Sequence, residues 1–99
     1  MADDLTNPQM RKLKALGQKL EPMLSVGRAG LSEAFIKSLD EILGIHELVK
    51  VKFGEFKEQR KELARQLVER TNSHLVHQVG HVVVVYRQQP DPAKRKIQF

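Results

Sequence analysis

The stretch VGRAGLSEAF, from Val26 to Phe35, sets an arginine between two glycines, just ahead of a serine suited to capping a helix. Gly27, Arg28, Ala29 and Gly30 thus form a GxxG loop at the start of a predicted helix. The first-turn N–H groups of a helix lack intrahelical partners and its dipole is positive there, so such an end attracts anions. Glycines at both ends admit positive φ and let a phosphodiester backbone approach without meeting a Cβ. Arg28 would add charge-assisted contacts to phosphate. The chemistry on offer is phosphate binding; the competing reading is a plain turn, which two glycines also serve. The Walker pattern GxxxxGK[ST] is absent, as is the third glycine of a dinucleotide fingerprint, so no nucleotide cofactor is expected.

Further cations flank this loop. Arg11, Lys12, Lys14 and Lys19 fall on a helix ahead of it and either extend a phosphate-binding surface or simply solvate that face. Lys50 and Lys52 alternate out of a strand, to reach a groove beside that helix or to snorkel to water. Arg87 ends the last strand, as a further contact or for solubility, and Tyr86 beside it reads as core rather than as a base-stacking platform. With one Tyr, four Phe and no Trp, stacking on exposed rings is disfavoured and recognition would rest on backbone and shape.

Catalytic and metal chemistry find little support. His74, His77 and His81 invite a metal reading, but strand positions three apart face opposite ways, so His74 and His77 cannot converge without a bulge. His46, beside Glu47, has no nucleophile or convergent carboxylate near it, and Glu55, Glu58 and Glu62 belong to a charged helical surface. Cysteine is absent, which excludes disulfides and thiolate sites. No catalytic residue, metal, cofactor or small-molecule substrate is expected. Seventeen Lys and Arg against twelve Asp and Glu leave a net charge of +5, favouring polyanionic partners. The amino terminus carries acid where an export signal carries base, and the longest strongly apolar run, Val82 to Tyr86, is far too short to span a membrane.

The elements that must hold these residues follow from periodicity. Thr6 or Asn7 caps a first helix with Met10, Leu13, Leu16, Gly17 and Leu20 on its apolar side, and Pro22 stops it. Met23 to Val26 is a short strand. The second helix carries Leu31, Phe35, Leu39, Ile42 and Leu43 inward and is expected to end at Gly44 with a left-handed residue. Leu48 to Phe53 alternates as a strand, a third helix buries Phe56, Leu63, Ala64, Leu67 and Val68, and two strands flank Gly80. The order α-β-α-β-α-β-β predicts a single α/β domain with a mixed four-stranded sheet. Right-handed crossovers put the second and third helices on one face and the first on the other. Val82 to Val85, apolar on both sides, suits an inner strand.

VGRAGLSEAF, HELVKVKFG at His46 to Gly54 and VGHVVVVYR at Val79 to Arg87 together resemble the CRM domain, the chloroplast RNA splicing and ribosome maturation module. The likeness is to its single-domain bacterial form, the YhbY family, and runs from the first helix through Arg87. The resemblance implies an α/β domain related to the C-terminal domain of translation initiation factor three, which binds RNA and associates with precursors of the large ribosomal subunit. In that family lysine usually follows the first glycine of the loop; Arg28 keeps the charge, and Ser32 replaces the more common threonine cap. In KH domains the GxxG loop joins two helices, whereas here it should join a strand to a helix. The expectation is a monomeric, cytoplasmic, ribosome-associated protein that binds ribosomal RNA. Its flexible residues 1–6 and basic, solvated tail 89–99 would flank a domain over 7–88. The alternatives are a protein-interaction adaptor on the ribosome and a DNA-binding architectural protein.

Overall fold

A computed structural model describes residues 5–54 and 57–97. Thr6 opens the first helix with a capping box: its hydroxyl accepts from the Gln9 N–H at 3.2 Å while the Gln9 side chain accepts from the Thr6 N–H at 2.9 Å. The elements are α1 (Asn7–Gln18), β1 (Leu24–Val26), α2 (Glu33–His46), β2 (Leu48–Phe53), α3 (Arg60–Thr71), β3 (His74–Val79) and β4 (Val82–Tyr86). Short 3₁₀ turns span Lys57–Gln59 and Pro92–Lys94. The sheet runs β1-β2-β4-β3, with β1 parallel to β2 and β4 antiparallel to both its neighbours. This is the mixed four-stranded α/β domain that the sequence predicts.

Alternation along the strands divides the interior into two cores. Val49, Val51, Phe53, Val83 and Val85 face α2 and α3, where they meet Leu39, Leu43, Ala64 and Leu67. Leu48, Val84 and Tyr86 face the other way, against Leu13 of α1. β4 is therefore buried on both sides, as an inner strand must be. Gly17 sets how closely α1 lies on the sheet, since a Cβ there would stand 2.9 Å from the Val84 side chain.

Three local expectations are revised. The second helix does not end at Gly44 but runs on to His46, and Glu47 takes the left-handed position with φ 64°. The fully buried Glu47 carboxylate explains why that backbone is tolerated: it accepts the N–H groups of Gln89, Lys96 and Ile97 at 3.0, 2.5 and 3.1 Å. Those bonds fold the segment from Gln89 to Ile97 back onto the domain while Pro90 to Lys94 and Lys96 stay exposed, and Ile97 packs against the α1 core. Finally, β3 has a bulge between Leu75 and His77. Phe56 and Glu55, expected on the third helix, lie outside the described residues.

Candidate nucleic-acid interface

The glycine loop leaves the edge strand β1 at the end of the sheet where β2 finishes and the β3–β4 hairpin turns. Its base is held from several sides. The Gly54 N–H donates to the Val26 carbonyl at 3.1 Å, Gly30 N–H closes a turn on the Gly27 carbonyl at 3.0 Å, and Arg70 of α3 donates to the Leu31 carbonyl at 2.9 Å. Ser32 then caps α2, its hydroxyl accepting from the Phe35 N–H at 3.1 Å. Between these anchors Arg28 and Ala29 are exposed, and Arg28 makes no ion pair or hydrogen bond among the described residues. Gly30 has φ 66°, which accounts for glycine there. Gly27 is different: its φ is not left-handed, and a Cβ on it would meet nothing within 4 Å. Neither the turn nor the packing demands glycine at that position. Glu33 already places a carboxylate in the first turn of α2, so attraction of an anion to this end rests on Arg28 and the loop amides more than on the dipole.

The remaining cations differ in their surroundings. Arg11, Lys12 and Lys14 are exposed on α1, a helix without a single acidic residue, and Lys19 is exposed as its C-cap. At 100° per residue Arg11 and Lys14 share one flank, and Lys12 and Lys19, seven apart, share the other. On α3, Arg65 pairs with both Glu62 and Glu69, so that one charge is locally compensated. Lys52 is exposed on the α1 side of the sheet, in register with Ser25 and Val82. Lys50 on the same side donates from Nζ to the Leu20 carbonyl at 3.1 Å, supplying the cation that the last turn of α1 lacks.

Arg87 is taken up internally. Its guanidinium pairs with the Asp40 carboxylate and donates to the carbonyls of Thr71 and Asp40 at 2.9 and 2.8 Å, tying β4 to α2 and α3. Tyr86 is 1% exposed and stacks on His74 with ring centroids 6.4 Å apart, a core residue rather than a platform for bases.

The bulge in β3 moves His77 onto the same face as His74, opposite Val84. There it lines a groove of about 240 Å³ with Gly17, Gln18, Lys50, Val79, Val82 and Val84. Sequence reasoning reached Lys50 as a groove residue but missed His77, because a bulge leaves no mark in the alternation of HLVHQV.

Known proteins match this arrangement over nearly its full length. The model of the CRS1/YhbY (CRM) domain matches residues 5–87. The protein named "Probable RNA-binding protein PA4753" of Pseudomonas aeruginosa is 36% identical over 91 residues, 91% of this chain and 88% of that one. "Probable RNA-binding protein YqeI" of Bacillus subtilis is 33% identical over 85 residues, 85% of this chain and 88% of that one. The solution structure of the hypothetical protein SAV1595 from Staphylococcus aureus superposes with a TM-score of 0.78 at 34% identity, covering 96% of this chain and 100% of that one. With the strand-to-helix GxxG loop, the mixed sheet and these likenesses in agreement, the chain belongs to the CRS1/YhbY (CRM) domain family.

Proposed function

We propose that the protein binds RNA, clamping phosphates with the loop from Gly27 to Gly30 and using the cations of α1 as a second contact. The observation that carries this reading is the combination at the loop: an exposed, unengaged Arg28 on a well-anchored base, beside a Gly27 whose lack of Cβ serves nothing within the protein. Open space there admits a phosphodiester backbone at close range. Support also comes from relatives named as RNA-binding proteins and from the net charge of +5. The RNA is ribosomal, in precursors of the large subunit, and the protein acts by neutralising phosphates and holding a local RNA fold during assembly, with no catalytic step. Lys52 joins this surface, whereas Arg87, engaged by Asp40, stays out of it. Competition between a large-subunit ribosomal RNA fragment and duplex DNA of equal length tests the reading. The RNA is expected to win, and equal competition would move the function to DNA.

A further inference from the structure

We infer that the groove between α1 and the hairpin end of the sheet receives an unstacked nucleobase from the strand whose phosphates the Gly27–Gly30 loop holds, an inference that rests on the RNA-binding reading above. Its floor is apolar, built from Val79, Val82 and Val84, and Val79 is left 54% exposed at the end of an edge strand. Its rim is polar, with Gln18, Lys50 and His77. The His77 ring finds no hydrogen-bond partner among the described residues, so it can pair with a base edge. A volume of about 240 Å³ lies below the roughly 300–1,000 Å³ of pockets that take drug-sized ligands, which suits a single planar ring system.

Position and charge select the occupant. Val82 on the floor is in register with Lys52, and Lys52 with Ser25, two residues before Gly27. At two strand spacings, the groove lies about 10 Å from the strand that feeds the loop. Lysines stand along this path and no carboxylate lines the groove, so a phosphodiester chain can cross from one to the other without repulsion. Bulged, looped or single-stranded RNA presents unpaired bases beside such a chain, as an uninterrupted duplex does not.

The test compares an oligouridylate with a ribose-phosphate oligomer of equal length that lacks bases, on the full chain and on Val79→Lys and Arg28→Glu variants. Val79→Lys adds positive charge while removing apolar floor, so electrostatics alone cannot weaken its binding. The natural protein is expected to favour the base-bearing oligomer about tenfold, and Val79→Lys to lose that preference while holding the abasic oligomer as well as before. Amide shift changes at Gln18, His77 and Val82 with the oligouridylate only would give the same answer without any variant. Equal binding of the two oligomers by the natural protein overturns the groove site and leaves the phosphate clamp standing. Abasic binding untouched by Arg28→Glu overturns the clamp instead, and binding of neither oligomer overturns both.

Discussion

Replacing Glu47 by glutamine keeps the side-chain volume and the backbone but removes a buried charge that three N–H groups address. The carboxylate serves Lys96 and Ile97 through Oε1 and Gln89 through Oε2. A glutamine oxygen can still accept from the first two, but its NH₂ then meets the Gln89 N–H donor to donor. Weakening two charge-assisted bonds and orphaning one donor costs about 2–4 kcal/mol. No longer desolvating a carboxylate offsets part of that, leaving a net loss of about 2 kcal/mol. For a domain of this size the loss corresponds to a fall in Tm of about 8–16 °C. Thermal unfolding followed by circular dichroism gives the total, and amide hydrogen exchange at Gln89, Lys96 and Ile97 locates it. A Glu47→Gln protein with Tm within about 2 °C of the natural one and unchanged exchange at those amides would refute the anchoring of residues 89–97 by Glu47.

Two further perturbations separate scaffold from surface. Arg87→Met removes the tie between β4, Asp40 and Thr71 and is expected to cost about 1–3 kcal/mol in urea unfolding while leaving RNA affinity unchanged under folding conditions; an affinity loss without a stability loss would return Arg87 to the interface. Burial, with the nearby negative charge of Glu47, pushes the Tyr86 phenol up to about 12 from its ordinary value of 10.0. The folded state therefore favours the neutral phenol. That contribution is fully present below pH 10 and is lost as pH rises through about 12, amounting to about 3 kcal/mol. Absorbance titration of this single tyrosine in the folded protein should show the raised midpoint, and a midpoint near 10 would contradict its burial.

Periodicity revealed most of this fold because its two cores impose clear alternation. Val49, Val51 and Phe53 against Lys50 and Lys52 placed β2 and assigned its faces, and the unbroken apolar run of β4 marked it as an inner strand. Ser32 announced the start of α2 through its cap. What sequence could not convey depended on contacts distant along the chain. Gly44 looked like the natural helix terminator, yet Glu47 holds the left-handed position because residues 89–97 return to bind its carboxylate. Arg87 looked like a cation at a strand end until Asp40, 47 residues away, proved to be its partner. The loop itself was legible because its glycines and arginine are adjacent, whereas the groove was not, since three strands and a bulge assemble it.

In the proposed function, Arg28 and its glycines grip phosphate. Affinity for a ribosomal RNA fragment, measured across a range of salt concentrations for the natural protein, Arg28→Lys and Arg28→Glu, decides whether they do. Arg28→Glu is expected to lose most of the affinity and to flatten the salt dependence by about one phosphate contact, while Arg28→Lys retains most of both. Three proteins with the same affinity and the same salt slope would mean that the loop is only a turn, and the phosphate clamp would be wrong.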